Sequence, residues 1–450
     1  MKKYDYIIIG GGPAGYTLAM TLASDGNKTA LVSETHEVGG TCLNCGCIPT
    51  KALLASAVGY AKLQNIEELG LSCGNVSYDL SKISERKTAI VENLKKGVLG
   101  GLKKSGVELF DSRGKLMPGK KVLLEKTGET IEADKIVLAT GSKAVVPSFV
   151  PQDRNLFMSS DEALLLKDVP ENLLVIGGGV IGIELAQVYS FLGSKVVIAE
   201  MADQILPGLD KAVAKRLLAE FKKNGIEINV SSPAENLQKT ADGKVSAKIK
   251  GEERLFDKAL VAIGRKPALS CFDESAQVEL DGAFIKTNDK FETSVPGVYA
   301  LGDLIKGPML AHKASYDARI FYLQQKGQEI KPDYAWCPGC VYTLPEIAWV
   351  GKSEDALKAE GITYKTGKSL YSANGKALSA GASSGQAKVL LSENNELLGA
   401  SIWGDSASLL IQSLNMAGKF ALKAEDILNL IVAHPTLSEI LSEAFENALR

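Results

Sequence analysis

The segment GGTCLNCGCIPTK, residues 39–51, carries three closely spaced cysteines. Cys42 and Cys47 enclose four residues at a point where a loop is predicted to run into a helix. A close cysteine pair can alternate between dithiol and disulfide, and a helix N-terminus favours the thiolate that this chemistry uses. Because Cys45 lies between them, the sequence leaves three pairings open. Zinc binding and plain packing are the alternatives, but a zinc site would need further Cys or His at ligand spacing nearby.

A second candidate lies near the C-terminus, in the segment HPTLSE, residues 434–439. His434 is one of three histidines, and an imidazole can accept and release a proton near neutral pH. Thr436 and Glu439 have the T-x-x-E spacing of a capping box, in which the glutamate serves only to start a helix. These residues alone favour the capping box and predict a helix over 436–449.

The elements that would position such side chains begin with a β-α-β unit at residues 4–34. Its strand and helix are joined by a GxGxxG turn, made by Gly10, Gly12 and Gly15. In this pattern the first glycine permits the turn, the second lets the backbone approach a pyrophosphate, and the third lets helix and strand pack closely. Glu34 ends the second strand, where an acid can accept a hydrogen bond from a ribose hydroxyl. The unit predicts a dinucleotide site.

Residues 173–200 repeat every part of this unit, with a turn made by Gly177, Gly179 and Gly182. Glu200 takes the place of the acid at the end of the strand. A carboxylate there binds a free 2′-hydroxyl and repels a 2′-phosphate, and residues 201–203 contain no arginine that could bind the phosphate. The second unit therefore favours NAD over NADP, and the chain has two predicted nucleotide sites.

The remaining elements complete an α/β fold. Helices are predicted over 48–63, 80–104 and 210–224, and two similar strands end on glycines at 135–141 and 258–264. From about residue 336 the chain is predicted to form a mixed strand-and-helix domain. The predicted fold class is α/β, with two Rossmann-like dinucleotide-binding domains and an α+β C-terminal domain.

Composition excludes several classes of protein. A chain of 450 residues is long enough for about three domains. Its 51 basic and 53 acidic side chains give a net charge of −2, which predicts binding neither to nucleic acid nor to a membrane surface. No apolar stretch of about 18 residues is apparent, so no transmembrane helix is expected. Seven cysteines, an odd number without an export signal, favour a reducing compartment, the cytoplasm.

Residues 39–51 resemble the redox-disulfide segment of the pyridine nucleotide–disulfide oxidoreductases, and within that family most resemble the enzymes that oxidise dihydrolipoyl groups. The resemblance covers nearly the whole chain, through GGGPAG at 10–15, GGGVIGIE at 177–184, ALGD at 300–303, LAHKA at 310–314, VYTLPEIAWVG at 341–351 and HPTLSE at 434–439. It implies an FAD-binding domain at 1–142, continued by a central part at 265–335, an NAD-binding domain at 143–264, and an interface or dimerisation domain at 336–450.

The resemblance also implies roles for individual residues. Cys47 would lie against the flavin, Cys42 would exchange with the substrate, and Cys45 would be a bystander. Lys51 would lie near the flavin and pair with Glu184. The FAD contacts expected are Gly10, Gly12, Gly15, Glu34, Lys51, Gly114, Gly141, Asp303 and Ala311, and the cofactor contacts expected of the second unit are Gly177, Gly179, Gly182, Glu184, Glu200 and Gly264. No metal is predicted.

For the C-terminal segment, the resemblance favours His434 as the acid–base group and Glu439 as the carboxylate that orients it. In related enzymes this segment reaches the disulfide of the other subunit, which implies a homodimer. The implied activity is oxidation of a dihydrolipoyl group to lipoyl disulfide with NAD⁺ as acceptor. The lipoyl group would be carried by a domain of a 2-oxoacid dehydrogenase or glycine-cleavage system. A related NAD(P)H-dependent reductase acting on another thiol or disulfide is the alternative.

The sequence departs from the family at Cys337-Pro-Gly-Cys340, where relatives typically have no cysteine pair. A C-x-x-C pattern suggests redox or metal chemistry, and two thiols with a packing role are an equal alternative. A relay that accepts electrons from the Cys42–Cys47 pair is one hypothesis.

Overall fold

Residues 2–450 are described by a computed structural model, in which the chain divides into two units. Unit 1 comprises Met1–Ala52, Lys82–Val145 and Gly264–Tyr334. Unit 2 comprises Leu53–Ser81, Val146–Ile263 and Ala335–Arg450. Each unit is therefore assembled from three separate stretches of the chain.

The secondary structure is numbered in chain order. The strands are β1 (Lys3–Ile9), β2 (Thr29–Val32), β3 (Glu108–Phe110), β4 (Gly114–Met117), β5 (Lys121–Leu124), β6 (Thr130–Leu138), β7 (Ser142–Ala144), β8 (Phe157–Met158), β9 (Asn172–Ile176), β10 (Lys195–Ala199), β11 (Ile226–Asn229), β12 (Glu235–Lys239), β13 (Val245–Ile249), β14 (Glu252–Phe256), β15 (Lys258–Val261), β16 (Arg265–Pro267), β17 (Leu280–Asp281), β18 (Phe284–Ile285), β19 (Val298–Ala300), β20 (Gly339–Val341), β21 (Glu346–Gly351), β22 (Lys365–Leu370), β23 (Gln386–Leu391) and β24 (Leu397–Gly404). The helices are α1 (Pro13–Ser24), α2 (Gly40–Cys45), α3 (Cys47–Gln64), α4 (Leu80–Lys104), α5 (Ser160–Ala163), α6 (Val180–Phe191), α7 (Lys211–Lys223), α8 (Ala311–Gln325), α9 (Glu354–Ala359), α10 (Gly375–Ser379), α11 (Ala407–Lys419), α12 (Ala424–Leu428) and α13 (Glu439–Leu449).

Unit 1 is built on a mixed seven-stranded sheet in the order β3-β2-β1-β6-β5-β4, with β19 also paired to β6. The strands β3, β2, β1, β6 and β19 run parallel, and β4 and β5 form an antiparallel hairpin beside β6. Ile7, Ile8 and Ile9 of β1 are almost fully buried, because a parallel strand at the centre of a sheet is covered on both faces. This explains the unbroken apolar run before the first glycine turn.

Unit 2 contains a parallel five-stranded sheet in the order β11-β10-β9-β15-β8, with a small antiparallel sheet of β12, β13 and β14. Its C-terminal part is an antiparallel sheet in the order β20-β21-β24-β23-β22. Helices α11 and α13 pack against this sheet. The side chains of Ile402, Ile411 and Phe445 are fully buried in the core between them. The wholly antiparallel pairing distinguishes this part from the two sheets that are built on parallel β-α-β units.

The predicted fold class is confirmed: two β-α-β nucleotide-binding arrangements precede an α+β C-terminal part. The predicted start of the last helix is wrong, because α13 begins at Glu439 and not at Thr436. The Thr436 hydroxyl donates a hydrogen bond back to the Ala433 carbonyl oxygen, so it does not cap the helix. The four domain boundaries stay predictions.

Within residues 2–450, the stretch Gly40–Gln64 is long enough to cross a membrane, and it contains an 18-residue window with a mean hydropathy of 1.2. No such stretch was expected from the sequence. The helix is interrupted at Gly46, which separates α2 from α3. Because a core helix of a globular protein passes the same test, this stretch is weak evidence for a membrane span.

Candidate active site

Cys42 and Cys47 lie on the consecutive helices α2 and α3, with Gly46 between the helices. A side chain at Gly46 would place its Cβ 2.8 Å from the Thr41 carbonyl oxygen, so only glycine allows this break. Both cysteines are partly buried, and their side chains are hydrogen-bonded to each other. The structure therefore brings together, as two thiols, the pair that the resemblance assigns to redox chemistry.

The two sulfurs have different electrostatic surroundings. The hydrogen bond with Cys47 and burial raise the pKa of the Cys42 thiol, whereas the charge of Lys51 acts to lower it. Cys47 is the first residue of α3, where the helix dipole favours a negative charge. The proton is thus retained at Cys42, and Cys47 is the better place for a thiolate. A redox pair needs this asymmetry when one sulfur exchanges with substrate and the other passes electrons on.

The third cysteine, Cys45, ends α2. Within residues 2–450, only one group of at least three His, Cys, Asp or Glu side chains lies close enough to share a metal ion, and it consists of Glu34, His36 and Glu37. The cysteines form no such group, so the zinc interpretation of residues 42–47 gains no support. In this acidic group, Glu34 already has a cationic partner, since Arg113 Nε lies 2.9 Å from Glu34 Oε2.

The first glycine turn fits a dinucleotide pyrophosphate. Gly10 has a φ of +112°, and a Cβ on Gly15 would lie 1.8 Å from the Gly10 carbonyl oxygen, so α1 could not pack onto β1 with any larger residue. Gly12 faces open space, because a Cβ there would meet only the Cα of Gly40, 3.8 Å away. Gly12 caps α1 without a side-chain hydrogen bond, and the first turn contains no acid. The first backbone N–H groups of α1 are thus available to bind an anion.

Asp303 belongs to a chain of hydrogen bonds within unit 1. Its Oδ2 accepts a bond from the Ser142 hydroxyl at 2.5 Å, and Ser142 Oγ accepts one from Arg265 Nε at 2.8 Å. Arg265 Nη2 also lies 3.5 Å from the hydroxyl oxygen of Thr41, the neighbour of Cys42. Ser142 and Arg265 were not among the residues predicted from the sequence. The available signal was the polar residue directly after the strand-ending Gly141.

The other predicted flavin contacts of unit 1 are placed as follows. Gly114 is buried in β4, where a Cβ would lie 2.8 Å from a methyl carbon of Val32. Gly141 has a φ of +71°, and Ala311 is the first residue of α8. Lys51 lies in the second turn of α3, close enough for its charge to act on Cys42. Their contacts with the cofactor stay predictions.

The second glycine turn repeats the geometry of the first. Gly177 has a φ of +110°, and a Cβ on Gly182 would lie 2.2 Å from the Gly177 carbonyl oxygen. A Cβ on Gly179 would meet no atom within 4 Å, which leaves the space that a pyrophosphate needs. Gly179 caps α6 without a side-chain hydrogen bond. The second unit therefore also fits a dinucleotide.

Around this turn, Glu200 accepts hydrogen bonds from the backbone N–H groups of Gly178 and Ala202, both at 2.6 Å. Its carboxylate is thus fixed beside the glycine turn. Glu184 lies on α6 with 3% of its surface exposed, and it accepts a hydrogen bond from the Tyr342 N–H at 3.0 Å. Gly264, with a φ of +130°, begins the last stretch of unit 1. The predicted Lys51–Glu184 ion pair stays a prediction.

His434 and Glu439 are held together in unit 2. His434 Nδ1 lies 2.8 Å from Glu439 Oε1, and Glu439 Oε2 accepts a hydrogen bond from the Thr436 N–H at 2.8 Å. These bonds lower the pKa of Glu439, since both stabilise the carboxylate. Because a carboxylate only accepts, Nδ1 carries the ring proton and Nε2 keeps a lone pair. The imidazole is largely open to solvent, with 78% of the His434 side chain exposed.

The C-x-x-C pair lies at the start of the C-terminal sheet. Cys340 is in β20, opposite Ala348 of β21, and packs with Trp336 against the core of that sheet. Cys337 precedes β20, so neither cysteine stands at a helix N-terminus, where such pairs gain reactivity. This placement favours packing. The relay stays a hypothesis, and unchanged turnover of Cys337→Ser on every disulfide substrate would remove it.

Comparison with known proteins agrees with this geometry. The family model described as pyridine nucleotide-disulphide oxidoreductase matches residues 4–318, and that of its dimerisation domain matches residues 337–445. The chain is 37% identical to a dihydrolipoyl dehydrogenase of Bacillus subtilis and 38% identical to one of Staphylococcus aureus, in each case over 99% of this chain and 96% of the relative.

Solved structures show the same likeness. The Cu(II) complex of the HOCl-induced flavoprotein disulfide reductase RclA from Escherichia coli has a TM-score of 0.89 at 26% identity, over 99% of both chains. LpdA from Mycobacterium tuberculosis shares the fold, with a TM-score of 0.90 at 24% identity over 99% of both chains. With its redox cysteine pair, two dinucleotide turns and matches along nearly its full length, the chain belongs to the pyridine nucleotide-disulphide oxidoreductase family.

Proposed function

We propose that the protein is a flavin-dependent enzyme that oxidises dihydrolipoyl groups to lipoyl disulfide with NAD⁺ as electron acceptor. The observation that carries this proposal is the hydrogen-bonded Cys42–Cys47 pair, in the same unit as a glycine turn that fits a dinucleotide. Relatives that match 99% of the chain are named dihydrolipoyl dehydrogenases. The turn of unit 1, together with Asp303, would hold FAD, and the turn beside Glu200 would hold NAD⁺.

The reaction starts from a Cys42–Cys47 disulfide. The partner subunit's His434 removes a proton from the substrate dithiol, and the thiolate attacks the Cys42 sulfur. The Cys42–Cys47 bond breaks and a mixed disulfide forms, with the charge on Cys47 at the start of α3. The second substrate thiol then attacks the first substrate sulfur and gives up its proton to Cys42, which leaves as a thiol, and lipoyl disulfide is released. Bound FAD would supply the two-electron chemistry that links reoxidation of the cysteine pair to reduction of NAD⁺.

A homodimer is part of this proposal, because His434 and the cysteine pair would come from different subunits. Its support is the match of residues 337–445 to a dimerisation domain. The same part of the chain exposes large apolar side chains, namely Leu409, Met416, Phe420, Leu430 and Ile431. We place the substrate on a lipoyl domain of a 2-oxoacid dehydrogenase or glycine-cleavage system, and the enzyme in the cytoplasm.

Turnover with dihydrolipoamide tests the proposal. The purified protein should be yellow, reduce NAD⁺ faster than NADP⁺, and develop a long-wavelength absorption band on anaerobic titration with a dithiol. Cys47→Ser should abolish both turnover and the band. Cys45→Ser, two positions away, is the matched control and should retain them. A colourless protein overturns the proposal. Reduction of another disulfide by NAD(P)H, without dihydrolipoamide turnover, supports the alternative reductase.

A further inference from the structure

Helix α8 contains a completely buried ion pair that its local sequence does not explain. Lys313 Nζ lies 2.8 Å from Asp317 Oδ2, and both side chains have 0% of their surface exposed. Lys313 is in the first turn of α8, where the helix dipole disfavours a cation. Lysine before an acid is also the less favourable order for a pair spaced by four residues. The reason for the pair therefore lies outside the helix.

The pair forms hydrogen bonds with both backbone polar groups of one glycine, Gly302. Lys313 Nζ donates to the Gly302 carbonyl oxygen at 2.9 Å, and the Gly302 N–H donates to Asp317 Oδ2 at 3.0 Å. The Tyr334 hydroxyl donates to the other oxygen of Asp317 at 2.8 Å. Gly302 has a φ of +68°, so the chain turns sharply at this point. The next residue is Asp303, the carboxylate expected to contact the flavin cofactor.

Stability alone does not account for these charges. Burial raises the pKa of Asp317, because its charged form has lost its water. Buried ion pairs are often replaceable by apolar residues without loss of stability, although removal of one partner alone leaves an uncompensated charge. In some proteins a buried pair of this kind serves to specify one local conformation. Here the fixed group is the peptide that leads into Asp303.

We propose that Lys313 and Asp317 are positioning residues for the flavin site, which hold the Gly302 peptide and thereby set the direction of the Asp303 side chain. This inference rests on the proposed function, which makes Asp303 an FAD contact. Asp303 is then fixed twice: its backbone by the buried pair and its carboxylate by Ser142. The direct experiment is FAD binding by the apoprotein, measured by fluorescence quenching of the flavin.

Two variants separate positioning from stability. Lys313→Met/Asp317→Leu removes both charges and both Gly302 hydrogen bonds. It should melt lower than the wild type, because the Gly302 N–H and carbonyl oxygen lose their partners, and its FAD dissociation constant should rise by at least about tenfold. Asp317→Asn removes the ion pair, but its amide oxygen can still accept from the Gly302 N–H. It should melt lower than the wild type and keep its FAD affinity.

Lys135→Met is the matched control, because Lys135 Nζ binds Gln325 Oε1 at 2.5 Å, at the other end of α8. It should not change FAD affinity. If the wild type binds FAD and the Met/Leu variant binds it equally well, the positioning role is wrong. If that variant does not fold, Lys313→Met alone must weaken FAD binding relative to Asp317→Asn, or the role is wrong. A wild type that takes up no FAD overturns the proposed function itself.

Discussion

Replacing Glu439 by glutamine should fix the His434 ring in an inactive protonation pattern. In the wild type the two carboxylate oxygens accept from His434 Nδ1 and from the Thr436 N–H, each at 2.8 Å. A glutamine has one acceptor oxygen, and the Thr436 N–H, which can only donate, takes it. The amide NH₂ then faces Nδ1, so Nδ1 must accept and the ring proton moves to Nε2. Nε2 is the atom that should receive the proton of the substrate.

The size of the effect follows from this shift of one proton. General bases contribute about 10²–10⁴-fold to reaction rates. In a serine protease, an Asp→Asn change that holds the catalytic histidine in the wrong tautomer lowers kcat by about 10⁴-fold. We therefore expect Glu439→Gln to lower kcat for dihydrolipoamide oxidation by about 10²–10⁴-fold. The melting temperature should hardly change, because exposed ion pairs contribute little to stability.

The assay is NADH formation at saturating dihydrolipoamide, with NADH-driven reduction of ferricyanide as a second readout that needs no base. The variant should lose the first activity and keep the second. Glu443→Gln is the matched control, since Glu443 lies one turn further along α13 and accepts a hydrogen bond from the Ser369 hydroxyl at 2.6 Å. The proposed role of Glu439 in orienting His434 is refuted if Glu439→Gln retains its turnover, or if Glu443→Gln loses as much turnover.

Three further predictions use the same protein. Gly179→Ala should melt like the wild type, because its methyl group meets no protein atom, but it should raise the KM for NAD⁺, because the methyl group occupies the space that the pyrophosphate needs. Gly182→Ala should instead lower the melting temperature, because its Cβ would lie 2.2 Å from a carbonyl oxygen. Glu200→Gln should raise the NADP⁺ to NAD⁺ ratio of kcat/KM by about tenfold, since it removes one like-charge repulsion, and steady-state kinetics will show this. Although burial opposes it, the hydrogen bond from Lys388 lowers the pKa of Glu354 from 4.5 to about 2. The stabilisation by Glu354 is therefore complete above pH 4.5 and lost as the pH falls towards 2, so urea unfolding of Glu354→Gln should depend less on pH in that window.

The parts of the site that could be predicted from sequence are those whose residues lie close together in the chain. The glycine turns and the Cys42–Cys47 pair depend on spacing within one segment, and the structure keeps that spacing on consecutive elements. The contacts of Asp303 with Ser142 and of Ser142 with Arg265 join positions 161 and 123 residues apart. No local sequence pattern predicts such a contact, because the two residues meet only after the sheet has formed.

The C-terminal segment shows a different limit. Its sequence allowed Glu439 either to cap a helix or to orient His434. In the structure one carboxylate oxygen lies at His434 Nδ1, and the other accepts from the Thr436 N–H in the segment that leads into the helix. Of the two hydrogen bonds of a capping box, only the one that Glu439 accepts is formed, because the Thr436 hydroxyl donates to the carbonyl oxygen of Ala433, which lies before it in the chain. A spacing rule could not reveal this division, since it depends on the path of the chain before the helix.

The two backbone bonds to Glu200 have a consequence for attempts to redesign coenzyme preference. The Glu200 carboxylate accepts hydrogen bonds from the N–H groups of Gly178 and Ala202. A basic residue cannot accept them, so this exchange would remove the support of the glycine turn and of the segment after β10 at the same time. Successful conversion to the phosphorylated coenzyme should therefore require transplanting the whole stretch after β10 from a donor enzyme, with its own internal bonding, and not a single change of charge.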